Sequence, residues 1–325
     1  MQSACSARRM VLMCARRTLH RHTGVGRGGA MDKIQASGDG SASARTGSES
    51  QAGNGEDEAA DGLARYKDDR DFVTALARGL AVIQAFTNQC RQLTISQISY
   101  RTGITRAAVR RYLHTLTELG YVRCQDGSRF SLGPKTVSLG NAYLSGSPLG
   151  GYAQAVLDDL SETVGEACSM AVLDGTEIVY LARATTSRIM SPSLNVGSRL
   201  PAYATSIGLV LLANLAEEEL ESYLARVNFL PFTANTIVTA EALRAALADA
   251  RRDGYAIANQ QMEVGLRSIA VPVCDKAGNV VSGINVLANS ARISVAQMRS
   301  QFLAPLRLAA QKLGEKASER AAASG

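Results

Sequence analysis

The sequence predicts an α+β protein in which an N-terminal winged helix-turn-helix domain is joined by a linker helix to a larger C-terminal domain built around one sheet. Three observations predict it. Two capped helical stretches meet across Gly103, and an alternating segment around Asp126-Gly127 follows them. Beyond Ser147, helical stretches are interspersed with β-branched strands joined by tight turns.

The chain has 325 residues, enough for two domains, which commonly run to about 100–200 residues each. Five segments are expected: a disordered extension over 1–69, the winged helix-turn-helix over 70–134, the linker helix over 135–146, the α+β domain over 147–318 and a tail over 319–325. The extension is first Arg-rich and acid-free, then a Gly/Ser/Ala/acid stretch with little to bury. Its opening resembles a targeting peptide, but the apolar run Met10–Ala15 is too short for a secretory signal. A start assigned too far upstream, with Met31 as the alternative, is the favoured explanation; a DNA-touching basic arm is the other.

The ordered part begins near Phe72. Phe72, Leu76, Leu80, Ile83 and Phe86 recur at helical spacing and predict a first helix with those residues inward. Thr94 followed three residues later by Gln97 is a capping-box pattern, which opens a second helix with Ile95 and Ile98 inward. Gly103 ends it, where a positive φ is cheap only for glycine. Thr105 caps a third helix, whose Val109, Leu113 and Leu116 form one apolar stripe. Strands Tyr121–Cys124 and Arg129–Leu132 then make a hairpin, and 135–145 reads as a short helix. In the second part a helix precedes CSMAVLDG and EIVYLARA. A helix then follows Ser206 and another spans Ala240–Asp253. GYAIANQ, IAVPVCD and VVSGINVLA read as strands before a last helix over 295–312.

The net charge of +6 is unevenly spread: residues 71–135 hold nine basic groups against three acidic ones, whereas 136–325 hold fifteen against seventeen. A basic small domain beside a nearly neutral larger one suits a polyanionic partner for the former. The third helix carries the sharpest signal. Arg106 and Arg110 sit four apart on one face with Arg111 beside them. A guanidinium there can pair bidentately with guanine O6 and N7, and small Ala107 lets the helix sit deep in a major groove. Thr94, Ser96 and Thr105 at helix starts can donate to phosphates, which fix register without reading sequence. Arg123 and Arg129 on the hairpin would meet backbone or minor groove. The plainer reading of these arginines is a solvated basic face. RNA fits less well, because no aromatic stacking platform exists.

These stretches resemble the IclR-type bacterial regulators. The carriers are RGLAVIQAF, LTISQISYRTGITRAAVRRYLHTLTELGYV, FSLGPKTVSLG and GLRSIAVPV followed by GINVLANSARIS, spanning about 70–315. The helix-turn-helix stretch is similar to the subgroup controlling aromatic-acid catabolism through protocatechuate and the β-ketoadipate pathway. The resemblance implies a GAF-like effector-binding domain, a homodimer or homotetramer, and a palindromic double-stranded operator. It also implies a small carboxylate effector of the 4-hydroxybenzoate, protocatechuate or β-ketoadipate class. RNA polymerase is a further partner if the protein activates transcription. By position in the matching motifs, the resemblance points to Ser206, Ile207, Asn259, Ser268, Asn285 and Leu287 as pocket residues. It is commoner for the family to carry a smaller residue at 206 and a cysteine at 268.

The chemistry of the residues agrees with such a ligand. Ser206 and Ile207 open a helix whose N–H groups suit a carboxylate. Arg183, at a strand end, is a second possible carboxylate partner, though a surface ion pair is the plainer reading. Met190 and Tyr203 would wall an aromatic ring, with core packing or loop surface as the alternative for each.

Other chemistries fare worse. Three His (20, 22 and 114) assemble neither a zinc cluster nor a Ser–His–Asp relay, so no metal and no catalytic residue are expected. GVGRGG follows no strand and opens no helix, so no nucleotide cofactor is expected. The six Cys include no Cys-x-x-Cys pair, which suits reduced thiols in a cytoplasm. No apolar stretch of about 18 residues suggests a membrane span. Two alternatives stay open beside a ligand-responsive regulator: an enzyme with a DNA-binding appendage acting on small organic acids, and an architectural scaffold without a ligand.

Overall fold

The computed structural model describes residues 69–87, 90–146, 149, 151–185 and 194–324. Residues 1–68 of the expected 1–69 extension, and Met190, lie outside the described residues. The chain divides into two units between Lys135 and Thr136.

The first unit runs α1 (Thr74–Gln84), β1 (Leu93–Thr94), α2 (Ile95–Thr102), α3 (Arg106–Glu118), β2 (Val122–Cys124) and β3 (Arg129–Leu132). Thr94 accepts from the Gln97 amide at 3.3 Å while the Gln97 side chain accepts from the Thr94 amide at 2.9 Å, closing the capping box. Gly103 adopts φ +66°, turning the chain from α2 into α3. The three strands order β1-β3-β2, all antiparallel, with Thr94 opposite Arg129. β1 is an addition to the expected hairpin, because two residues are too few to carry a period.

Val82, Phe86, Leu93, Ile98, Ile104, Val109, Leu113, Leu116 and Val122 form the core of this unit. The face of α1 differs from the expected one. Val82 is fully buried, whereas Leu76 and Leu80 are 62% and 48% exposed. α1 is apolar nearly all round, so periodicity alone does not choose its inward face.

At the division the chain enters α4 (Lys135–Gly146), in which no residue is buried. The second unit continues through α5 (Tyr152–Val164), β4 (Ala167–Asp174), β5 (Glu177–Ala184), β6 (Arg199–Pro201), a 3-10 turn (Ala202–Ala204) and α6 (Ser206–Leu212). Then come α7 (Glu217–Arg226), α8 (Ala240–Asp253), β7 (Ala256–Asn259), β8 (Leu266–Cys274), β9 (Val280–Asn289) and α9 (Val295–Gln297). A π turn over Met298–Phe302 leads into α10 (Leu303–Ser324), so most of the stretch expected as a tail is helical.

The sheet orders β6-β5-β4-β9-β8-β7, each neighbour antiparallel. Alternation along its strands builds two cores. Ile284 and Val286 join Leu157, Met170, Val271, Leu306 and Leu313 on the face covered by α5 and α10. Tyr203, Ile207, Leu212, Leu243 and Leu247 fill the other face beneath α6, α7 and α8. Two glycines permit that second layer. A Cβ on Gly208 would lie 2.0 Å from the Ala202 carbonyl oxygen, and one on Gly283 would lie 2.9 Å from an Ile207 methyl. Such a Gly283 contact is what lets α6 rest on β9.

Candidate functional site

In the first unit, α3 presents Arg106, Ala107, Arg110 and Arg111 to solvent, opposite its buried Val109, Leu113 and Leu116. Thr105 caps the helix by accepting from the Ala108 amide at 3.4 Å. Ser96, Arg123 and Arg129 are also exposed, and Thr94 is half-buried. The wing turn is held by Asp126, whose carboxylate accepts from the Ser128 and Arg129 amides at 3.1 and 2.7 Å, while Gly127 takes φ +73°. Those amide bonds lower the Asp126 pKa below its ordinary value of 3.8.

The charge of this surface can be read from its ion pairs. Every ion pair among the described residues lies in the second unit. Among the described residues the arginines of α3 form no ion pair, while on the wing Arg129 lies close enough to Asp126 to favour its charged carboxylate. An exposed cationic face of this kind binds a polyanion by releasing its counterions.

In the second unit, a cavity of about 250 Å³ opens on the sheet face that carries α6. An engineered cavity of about 150 Å³ is known to hold benzene, so this volume admits a substituted ring or a short-chain acid. Four of the expected effector residues line it: Arg183, Ser268, Asn285 and Leu287. The strand register explains their meeting. Arg183 pairs with Ser169 across β5 and β4, Ser169 with Asn285 across β4 and β9, and Leu287 with Ser268 across β9 and β8.

Arg183 donates to the Leu194 carbonyl at 3.0 Å, but its Nε is buried without a partner. Burial lowers its pKa from the ordinary value, because desolvation disfavours the charged guanidinium. Arg267, also on the wall, donates to Asn259 Oδ1 at 2.8 Å and to the Ile293 carbonyl, both neutral acceptors. Among the described residues, neither arginine has an ion-pair partner. Tyr180 lines the cavity too, and burial pushes its phenol up to about 12, so it stays a neutral donor at physiological pH.

Other expected residues sit behind the wall. The fully buried Ser206 donates its hydroxyl to Ser268 Oγ at 2.8 Å, so it positions a lining residue. Asn259 likewise holds Arg267. Ile207 is packed under Gly283 and reaches no cavity surface. Tyr203 departs furthest from its expected role: its hydroxyl donates to the Leu230 carbonyl at 2.9 Å and accepts from the Leu230 amide at 2.7 Å. Its ring packs on Phe229 and Phe232, so it pins a loop.

The structure adds Ser169, Thr205, Gln261, Met262, Glu263 and Arg267 to the lining. Ser169 had a legible signal, a lone hydroxyl inside the apolar strand ACSMAV, as Ser268 and Asn285 interrupt theirs. Gln261–Glu263 had none, because they lie on a loop. That loop leaves β7 through Gln260, which takes φ +57°. Thr233 and Thr236 hold it by donating to the Gln260 and Gln261 carbonyls, each at 2.7 Å.

Residues 141–315 match the family description of the bacterial transcriptional regulator IclR C-terminal domain, and 75–126 match the IclR helix-turn-helix domain. The Pca regulon regulatory protein of Pseudomonas putida is 48% identical over 248 residues, which cover 76% of this chain and 84% of that relative. A transcriptional-regulator crystal structure from Rhodococcus sp. RHA1 is 41% identical with TM-score 0.66, covering 75% of this chain and 98% of that one. An IclR homolog from Microbacterium hydrocarbonoxydans, solved in complex with 4-hydroxybenzoate, is 26% identical with TM-score 0.65, covering 76% and 100%.

Proposed function

The chain belongs to the IclR family of bacterial transcriptional regulators, and on that premise we propose that it is a ligand-responsive DNA-binding regulator of aromatic-acid catabolism genes. The observation that carries the ligand half of this reading is Arg183, a guanidinium on a cavity wall with no carboxylate partner among the described residues. A small acid supplies that carboxylate. The name of the Pseudomonas relative and the 4-hydroxybenzoate of the Microbacterium structure support an effector of the 4-hydroxybenzoate, protocatechuate or β-ketoadipate class. Arg267 on the same wall favours an acid with two anionic ends, which keeps the dicarboxylate beside the hydroxybenzoates.

In this reading the segment 70–134 binds DNA and 147–318 binds the effector. Arg106, Ala107, Arg110 and Arg111 enter the major groove; Thr94, Ser96 and Thr105 hold phosphates; Arg123 and Arg129 meet backbone or minor groove. The protein is a cytoplasmic homo-oligomer on a palindromic operator, engaging RNA polymerase where it activates. Half-sites are spaced by about 10 base pairs or a multiple. The effector shifts the balance between two arrangements of that oligomer, and it does so only through a difference in affinity for them. Helix α4, which joins the units in sequence, is the covalent path for the signal.

Anisotropy of labelled operator DNA, titrated with and without 4-hydroxybenzoate, protocatechuate and β-ketoadipate, tests this. A ligand-dependent change in operator affinity or promoter output is expected. Unchanged affinity and output at saturation would contradict the reading. Turnover of these acids by purified protein would favour the alternative of an enzyme carrying a DNA-binding appendage.

A further inference from the structure

The cavity carries a second demand besides the one for an anion. Asn285 stands in the middle of β9 and lines the wall, yet only 6% of it is exposed. Its carboxamide oxygen is buried with no donor. A buried amide acceptor left unpaired is costly, and native proteins keep few of them. Its strand neighbours on this face do not answer it. Ser169, its Cα partner on β4, is 5% exposed and also lines the wall. Ala270, its partner on β8, has no polar side-chain atom.

The position of this amide is fixed relative to the cation. Arg183, Ser169 and Asn285 are successive partners across three adjacent strands. At about 4.5–5.5 Å per strand pair, the Arg183 and Asn285 backbones stand about 10 Å apart. Both side chains line the same cavity, so one small molecule there can meet a cationic group and a neutral amide, with the Ser169 hydroxyl between them in strand order.

We propose that Asn285 is the specificity-determining residue of the cavity, reading an uncharged oxygen function, hydroxyl or keto, carried by the effector at a distance from its carboxylate. The inference rests on the acid-binding reading above and goes beyond it. An amide offers both a donor and an acceptor and presents either by a half-turn, so it serves a phenol or a ketone. Ser169 beside it supplies the complementary hydroxyl. An acid that lacks this oxygen still meets Arg183, but it seals the amide away from water with nothing to bond.

The test is calorimetric titration of the full-length protein with two matched pairs: 4-hydroxybenzoate against benzoate, and 3-oxoadipate against adipate. In at least one pair the oxygenated acid is expected to bind about tenfold or more tightly than its partner, as follows from leaving a buried polar group unpaired. In Asn285→Leu that gap closes to about twofold because the oxygenated acid weakens, while the deoxygenated acid keeps its affinity. Ser169→Ala narrows the gap more mildly, and serves if Asn285→Leu fails to give the wild-type circular dichroism spectrum. Equal affinities within both pairs in the wild type overturn the proposal, as does a gap that survives in a folded Asn285→Leu or is untouched in Ser169→Ala. If no acid of either pair binds, the carboxylate reading itself falls, and this inference falls with it.

Discussion

Ser206 and Ser268, 62 residues apart in sequence, share a buried hydrogen bond of 2.8 Å that ties the start of α6 to β8 beside the cavity. Ser268→Leu is expected to abolish the effector response while sparing operator binding, because its bulk enters a cavity lined by residues of the second unit. It also strands the Ser206 hydroxyl, at a cost of about 1–3 kcal/mol. Denaturant unfolding and operator titration with ligand check both parts; an intact response in Ser268→Leu would contradict the cavity as the effector site.

Arg183→Gln is expected to weaken acid binding by about 1.5–3 kcal/mol, the usual worth of a hydrogen bond to a charged group. Operator affinity without ligand should not change. Calorimetry with the acids and anisotropy with DNA separate the two. A loss of ligand-free DNA binding would instead assign Arg183 to the folding of its unit.

On the DNA side, Arg106→Ala or Arg110→Ala should cost about 1–3 kcal/mol of binding to the specific operator. The loss on random DNA should be smaller. Equal losses on both would mean that these guanidiniums hold phosphates. Wild-type affinity should in any case fall steeply with salt, since exposed cations bind DNA by counterion release.

Asp126 gives a pH signature. Its pKa is depressed by the amides of Ser128 and Arg129, so its contribution to the wing is complete above the ordinary carboxylate value of 3.8. That contribution is lost as pH falls through the lower folded value. An NMR titration of the Asp126 carboxyl should therefore place its midpoint below 3.8. A midpoint at or above that value would mean the turn is not held in solution.

Tyr203→Phe should lower stability by about 1–3 kcal/mol, since the Leu230 carbonyl and amide both lose their partner. Effector affinity should be unchanged. A marked loss of affinity with full stability would restore Tyr203 to the ligand.

What the sequence made legible follows from which signals are local. The capping box at Thr94, the left-handed Gly103 and the apolar stripe of α3 are written within a few residues of one another, and each stands where it was expected. Ser268 and Asn285 were reached through the family resemblance of their motifs, and the sheet register brings them to one wall. Three kinds of information were not local. The inward face of α1 is set by the helices it meets, since both of its faces are apolar. The displacement of Tyr203 depends on a backbone 27 residues away. Arg267 reaches the cavity because Asn259 and Ile293 steer its guanidinium, and no spacing in the sequence announces that.

The loop that leaves β7 at Gln260 divides the cavity wall into two inheritances. Arg183, Ser169 and Asn285 are locked to strand pairings, and shifting any of them by one residue would turn a whole strand inside out. Gln261, Met262 and Glu263 belong to no strand and can be exchanged without disturbing a single pairing. In the proposed reading, descendants of this gene can therefore drift toward new inducers by rewriting three lip positions, while the grip on the shared acid group is passed on intact.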